Sequence, residues 1–355
     1  MVTIDLFENN GKFDAFVFMS ESNRFYFTNL ETSFGAVIVT ENHNVFITDF
    51  RYETEARKVV RDCDIVISTF SEFYGKIAET LTKLNATTVG YEDTMSVAEF
   101  NEFKAALKGF KLKPATDIIE AKRAVKTENE IGFIKTAQSI AEGALKRAIS
   151  GVKIGMTERE LMAEINYEMV IGGADKYSFE TIVAFGAHTA EPHHHPSDFK
   201  LEKDALILVD MGAKYKGYCS DMTRTFCLGN PGEQMLKVYD IVKRAQEYAI
   251  HNIKPGLTCH DADAFAREYI RANGYGDMFG HSFGHGVGID IHEFPRVGSG
   301  AHIELKPNMV ITAEPGIYVP GLGGVRIEDM LVVRENGCED ITGYDKNLIL
   351  NNGGK

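Results

Sequence analysis

The 355-residue chain has no run approaching eighteen uncharged apolar residues, so no segment is long enough to cross a bilayer as a helix. It also lacks a basic surplus. Its 38 lysines and arginines against 51 aspartates and glutamates leave a net charge of −13. That argues against a general nucleic-acid binder, which needs a basic face for phosphates. Its five cysteines (63, 219, 227, 259 and 338) are scattered, odd in number and without CxxC spacing. This speaks against a disulfide framework or cysteine-held zinc, and predicts reduced thiols in a cytosolic protein. The opening "MVTIDLFENNGKF" carries early acids where a signal peptide has a basic and then an apolar region. What is present is ordinary for a soluble globular protein, with 44% apolar and 25% charged residues. The length predicts two domains, placed at 1–122 and 123–355.

The first hundred-odd residues alternate strand and helix signals. "DAFVFM" is a short apolar run, and "FGAVIVTENHNVFITDFR" reads as a hairpin around the polar turn Glu41 to Asn44. Helices are predicted around Tyr52 to Val60 and Ser71 to Lys83, and a strand at "ATTVGYE". At "DIIEAKRAVKTENEIG", Thr127 and Glu130 form a capping box that opens a long helix. Its stripe runs Ile131, Ile134, Ala137, Ile140, Ala141, Ala144, Leu145, Ala148.

From there the chain repeats itself. "VKIGMTERELMAEI" at Val152 and "IKPGLTCHDADAFA" at Ile253 share Lys, Gly, an apolar residue and Thr, then an acid at the capping-box position (Glu160, Asp261). Each follows a helical stripe, the second being Met235, Val238, Ile241, Val242, Ala245 and Ala249. Each precedes histidines and then a carboxylate pair, Asp210 with Asp221 and Glu314 with Glu328. The order predicts a duplicated α/β half whose strands meet at a shared centre.

In "ALILVDMGAKYKGYCSDMTRTF" an apolar strand ends in Asp210 and a second strand bears Asp221. In "MVITAEPGIYVPGLGGVRIEDMLVV" Glu314 ends an apolar strand and Glu328 lies inside another. Carboxylates are seldom buried unless compensated. Two like charges about 4 Å apart repel by roughly 4 kcal/mol at an effective dielectric near 20, so four facing one centre call for cations. Four carboxylates suit two divalent ions, and oxygen ligands with one imidazole favour manganese, cobalt, zinc or iron. The imidazole should come from "FGHSFGHGVGIDIHEFP", where glycines flank His285 and His292 lies seven residues on. One is read as a ligand and the other as facing substrate. The tract "EPHHHPSD" tempts one to a three-histidine metal site, but neighbours on an extended chain face opposite ways, so His193, His194 and His195 cannot converge on one ion.

"LVDMGAKYKGYCSDMTRTF", "FGHGVGIDIHEFP", "AEPGIY" and "GVRIEDMLVV" together resemble the pita-bread metallopeptidases, from Thr127 onward. "NRFYFTN" resembles a characteristic strand of the N-terminal domain in the prolidase, aminopeptidase P and creatinase branch. The resemblance implies an α/β (α+β) protein: a small creatinase/prolidase-like N-terminal domain, then a pita-bread domain of two pseudo-symmetric halves. It implies two divalent metal ions, manganese favoured over cobalt or zinc, held by Asp210, Asp221, His285, Glu314 and Glu328. Asp221 and Glu328 would bridge the ions, and Arg326 would steady the carboxylates. His193 and His292 would be catalytic without being ligands, and Glu314 would shuttle the proton to the leaving nitrogen. His188 stands where many relatives carry a different polar residue. His195 shares the face of His193 if the strand is regular, whereas His194 should point away and be replaceable at little cost.

The activity implied is hydrolysis of Xaa-Pro bonds by a metal-bridging hydroxide in a cytosolic homodimer, with no nucleic-acid or membrane partner. A dipeptidase is favoured over an aminopeptidase by the short first domain. Two rivals differ in class: a non-catalytic scaffold with the same fold, and a creatinase-like amidinohydrolase working without metal. The five candidate ligands present in the sequence argue against both.

Overall fold

The computed structural model describes residues 6–7 and 13–350. The reading of the N-terminal stretch therefore falls mostly outside the described residues. Two compact units emerge, residues 1–122 and 123–355.

The first unit is a six-stranded sheet with helices on both faces. It contains β1 (Ala15–Phe18), α1 (Glu21–Thr28), β2 (Ala36–Val39), β3 (Asn44–Thr48), α2 (Phe50–Val59) and β4 (Asp64–Ile67). There follow α3 (Phe73–Lys83), β5 (Thr88–Tyr91), α4 (Val97–Ala106), β6 (Lys111–Pro114) and α5 (Thr116–Ala124). The strand order is β4-β3-β2-β1-β5-β6. The β2–β3 pair is the hairpin read from the sequence, antiparallel from Ala36↔Ile47 to Val39↔Asn44. Strand β1 is apolar at every position because both its faces are covered. Ala15 and Val17 enter one core, and Phe16 and Phe18 the other.

"NRFYFTN" is not a strand. Its first six residues lie in α1. Aromatics there mimic a strand signal, but the ends are capped as a helix. The Ser20 side chain accepts from the Asn23 amide, and Asn29 closes the helix in the left-handed region at φ 53°. The buried Glu92 carboxylate adds to the cap, accepting from the Ser20 amide at 2.9 Å and the Asn23 side chain at 2.6 Å.

The second unit is built twice over. Its first half contains α6 (Glu128–Ser150), α7 (Glu158–Ile171), β7 (Lys176–Tyr177), β8 (Ile182–Phe185), β9 (Leu206–Met211), β10 (Ala213–Tyr215), β11 (Tyr218–Cys219) and β12 (Met222–Cys227). The other half begins with α8 (Glu233–Asn252) and α9 (Cys259–Ala272). Then come β13 (Gly284–Gly286), β14 (Glu293–Val297), β15 (Val310–Ala313), β16 (Gly316–Val319), β17 (Gly323–Arg326), β18 (Asp329–Arg334) and β19 (Gly337–Asp340).

All three capping boxes form: Thr127 with Glu130, Thr157 with Glu160, and Thr258 with Asp261. Each half has its own core. The α6 stripe packs with Leu161 and Ile165 of α7 on β8, β9 and β12. The α8 stripe packs with Ala262, Ala266 and Ile270 of α9 on β15, β17 and β18. Among the described residues no helix is long and apolar enough to cross a membrane.

Candidate metal centre

Two antiparallel hairpins deliver the carboxylates. On the first, β9 pairs with β12 through Asp210↔Thr223 and Met211↔Met222, leaving Asp221 one residue before β12. On the second, β15 meets β18 at Ala313↔Asp329 and β16 meets β17 at Gly316↔Arg326. Between these two ladders Glu314 and Pro315 lie across from Ile327 and Glu328. Glu328 therefore sits at a break between two strands, not inside one. Pro315 has no N–H to give to the ladder there, and the chain on both sides is released to turn its carboxylates inward. The hairpins are tied together where the Glu328 amide donates to the Thr223 carbonyl at 3.1 Å.

His285 reaches the same centre from β13. Its Nδ1 lies 3.1 Å from the Gly286 carbonyl, which fixes the hydrogen on that nitrogen and turns a bare Nε2 inward. Nε2 stands 3.6 Å from Asp221 Oδ2 and 3.5 Å from Glu314 Oε1. These separations are too long for hydrogen bonds. They suit ligands sharing one ion, since bonds of 2.0–2.2 Å in tetrahedral array put ligand atoms about 3.4 Å apart. Ligand atoms of Asp221, His285 and Glu328 all lie within 4.8 Å of one another. Gly286 allows the close backbone approach, because a methyl group there would sit 2.5 Å from the Phe294 carbonyl oxygen.

His292 is the second histidine of that segment, and the chain between the two is not one extended strand. The register shifts after His285, the chain bends through Val287 to His292, and the two rings meet with centroids 4.3 Å apart. His292 and His193 are both exposed.

The electrostatics point to missing positive charge. Burial pushes the Asp221 carboxyl well above the usual range, and Glu328, Asp210 and Glu314 push it further. Burial also raises Glu328, with Glu314 and Asp210 adding. Glu314 is pushed up to about 8 by burial, with Arg326 opposing and Asp210 adding. Burial, with His292 beside it, lowers His285 to about 4, so its imidazole is neutral and able to ligate. Asp210 Oδ1 is buried with no hydrogen-bond partner among the described residues.

The only guanidinium in hydrogen-bond contact with these carboxylates, among the described residues, is that of Arg326. It donates to Asp210 Oδ2 at 2.6 Å, to the Tyr318 hydroxyl at 2.9 Å and to Thr223 Oγ1 at 3.1 Å. Thr223 Oγ1 in turn donates to Glu328 at 2.7 Å. One arginine cannot balance four carboxylates. An oxygen-rich set with one neutral imidazole is the donor chemistry of divalent cations, so these residues fit a metal.

A second group has ligand-like spacing. Glu158, His188 and His194 also place one ligand atom each within 4.8 Å. Here the balance is reversed. Glu158 Oε1 accepts from the Phe185 amide and faces His188 Nδ1, while Oε2 accepts from the amide and hydroxyl of Ser197 and faces His194 Nε2. Burial alone would raise the Glu158 carboxyl, but the bonds from Ser197, His194, His188 and Phe185 bring it below the usual range. Donors already satisfy this carboxylate, and no cation is called for.

His194 was expected to point away from the centre and to be replaceable at little cost; it meets Glu158 and Glu191 and not the ring of carboxylates. It is buried, with Nε2 2.9 Å from Glu158 and Nδ1 2.8 Å from Glu191. The strand alternation behind that expectation, and behind His195, does not apply. The Pro192–His193 segment is a turn in which the His194 amide donates to the Glu191 carbonyl at 3.1 Å.

Two participants were not singled out from sequence. His281 Nε2 lies 2.9 Å from the Tyr318 hydroxyl, and its imidazole is lowered to about 4 by burial, with Arg326 adding. Its sequence signal was its place four residues before His285. Glu158 sat unnoticed beside the capping-box acid Glu160.

Residues 132–335 match the family model of metallopeptidase family M24, and 4–125 that of the creatinase/prolidase N-terminal domain. The chain belongs to metallopeptidase family M24. This M24 peptidase is 38% identical over 345 residues to a protein of Pyrococcus furiosus named Xaa-Pro dipeptidase, covering 97% of each chain. Its fold superposes on a Xaa-Pro dipeptidase from Bacillus anthracis with a TM-score of 0.93 at 37% identity, over 98% of each chain. It superposes on an X-Pro aminopeptidase from Thermotoga maritima with a TM-score of 0.89 at 36% identity, over 95% of this chain and 98% of that one. The M24 peptidase accordingly has the pita-bread domain behind a creatinase-like domain, and family and donor set together support divalent metal cofactors.

Proposed function

We propose that this M24 peptidase hydrolyses Xaa-Pro peptide bonds, with dipeptides preferred. The observation that carries the reading is the set of buried, under-compensated carboxylates around the neutral His285, whose ring meets that of the exposed His292. The full-length relatives named for Xaa-Pro cleavage supply the substrate class.

Asp210, Asp221, His285, Glu314 and Glu328 would hold two divalent ions, with manganese favoured over cobalt or zinc. Ions held there supply Lewis-acid activation of a water and of the scissile carbonyl. Arg326 holds Asp210 in place, and through Thr223 it holds Glu328. Glu314 moves the proton to the leaving nitrogen. Its side chain is 18% exposed, against 14% for Asp210 and 6% for Asp221. His193 and His292 hydrogen-bond the substrate and the developing negative charge. A prolyl nitrogen carries no N–H and its ring fixes φ, so a pocket shaped to it discriminates against ordinary peptides. The five unpaired cysteines support a reducing, cytosolic setting. A homodimer belongs to the same proposal, and light scattering tests it.

The decisive assay compares a Xaa-Pro dipeptide, a Xaa-Pro tripeptide and a Xaa-Ala dipeptide on metal-loaded protein. The expected order is dipeptide, then tripeptide, with Xaa-Ala uncleaved. Turnover of Xaa-Ala alone sinks the proline assignment.

A further inference from the structure

We infer that Glu158 is the positioning residue for His193, acting through a buried carboxylate–imidazole latch with His194; this rests on the reading that His193 contacts substrate. Glu158 opens α7, where the helix N-terminus favours a negative charge, and its side chain is completely buried. Its two oxygens gather both ends of the segment that carries His193. The Phe185 amide (2.9 Å) and His188 Nδ1 (2.8 Å) meet Oε1. His194 Nε2 (2.9 Å), the Ser197 amide (2.9 Å) and the Ser197 hydroxyl (2.6 Å) meet Oε2.

His194 is gripped from its other side as well, by Glu191 at 2.8 Å. Its ring lies 4.5 Å from that of His188, which in turn lies 4.5 Å from Phe199. With a carboxylate on each nitrogen, the ring cannot rotate without breaking one of the two bonds.

His193 is the preceding residue, and the other flank of its turn is fixed to the metal centre. The Pro192 carbonyl accepts from Arg326 at 3.4 Å, and Thr189 Oγ1 accepts from the Gly324 amide at 2.7 Å. An exposed histidine thus has one neighbour tied to the arginine that holds Asp210 and the other tied to Glu158. A flexible loop would leave its imidazole free to wander, whereas this arrangement holds the backbone on both sides of it. Such pre-orientation is what a group serving a developing charge requires.

The duplicated half carries a related contact, from a place four residues further along its helix. Asp263, buried in α9, accepts from the Phe283 amide at 3.1 Å, at the start of the segment that carries His285. The local sequences match, "FGAH" from Phe185 and "FGHG" from Phe283. In each half an acid on the second helix accepts from a phenylalanine amide, two residues ahead of His285 and eight ahead of His193.

The test is a double-mutant cycle on the metal-loaded full chain, using Glu158→Gln, His193→Ala and the double variant, with bound metal measured in each. Glutamine keeps the size but turns an NH2 group toward one set of donors. Glu158→Gln is expected to lower kcat on a Xaa-Pro dipeptide about tenfold or more with metal content unchanged. In the His193→Ala background the same change should cost less than about threefold, because the residue through which it acts is gone. A loss carried undiminished into that background overturns the proposal.

Hydrogen exchange gives a second readout that needs no substrate. In Glu158→Gln the amide of Phe185 or of Ser197 should exchange about tenfold faster or more, while core strands keep their protection. Exchange as slow as in the parent at both amides overturns the latch whatever the enzyme cleaves. If His193→Ala is as active as the parent, or Xaa-Pro peptides are not cleaved, the substrate reading fails and the exchange experiment alone decides the latch.

Discussion

Arg326 donates to Asp210 at 2.6 Å, and this pair joins the two halves of the pita-bread domain, one residue coming from β17 and the other from β9. Both side chains are largely buried, and the guanidinium also donates to Tyr318, Thr223 and the Pro192 carbonyl. It is a fork filled on every prong. Lysine would keep the charge but present a single point donor. Arg326→Lys is therefore expected to weaken metal binding or kcat/KM by about 10- to 100-fold without unfolding the protein. Metal titration followed by Xaa-Pro assay checks this, and parental affinity and rate in the variant would falsify the role.

Asp221 carries the heaviest like-charge load, with Glu328, Asp210 and Glu314 all acting on it. Asp221→Asn should abolish metal binding and activity together. It should also relieve repulsion in metal-free protein, so that in chelator the variant melts no lower than the parent. Adding divalent metal should raise the melting temperature of the parent alone, because ligand that binds only the folded state stabilises it. Metal analysis beside thermal melts reads both effects. Two ions retained per chain in the variant contradict the ligand assignment.

Much of this centre was legible because its oddities come in pairs. An acid after "LILV" is one anomaly. A second after "MVITA", in an equivalent place beyond an equivalent capped helix, calls for a common cause, and under-compensated charge supplies it. The duplicated capping boxes were readable because Thr127, Thr157 and Thr258 act on residues only three positions away. What sequence hid depended on distant partners. "NRFYFTN" looked like a strand because aromatic content outweighed a cap that Glu92 completes from far along the chain. The role of Glu158 rests on partners 27 to 39 residues away. The burial of His194 was missed because alternation was applied to a turn.

His193→Ala should lower turnover on a Xaa-Pro dipeptide about 100-fold with metal content unchanged, since the imidazole is exposed and the proposal has it bind substrate rather than metal. His292→Ala has a further consequence. Its ring packs on that of the proposed ligand His285 at 4.3 Å, so some loss of metal affinity should accompany the loss of rate. Steady-state kinetics with metal analysis separates the two. A His193→Ala protein stripped of metal reverses the division between ligands and substrate-facing groups.

The latch predicts a pH signature in stability. Burial lowers the His194 pKa, but the bonds to Glu158 and Glu191 outweigh it, and the net shift is upward. His188 and Phe199 complete the ring's surroundings through their stack. A histidine raised in the folded state contributes stability that is complete below the unfolded value, about 6.5, and fades as pH rises through the higher native value. Glu158 shifts the opposite way. Its contribution is complete above the unfolded carboxylate value, about 4.3, and fades as pH falls through the depressed native one. The pair is fully charged and strongest between about pH 4.3 and 6.5. Parent and His194→Gln proteins, melted in the same chelator from about pH 4 to 9, should differ most in that window and converge on the alkaline side. A gap that stays constant to pH 9 would mean that His194 is neutral in the folded protein and that the latch is held by uncharged hydrogen bonds alone.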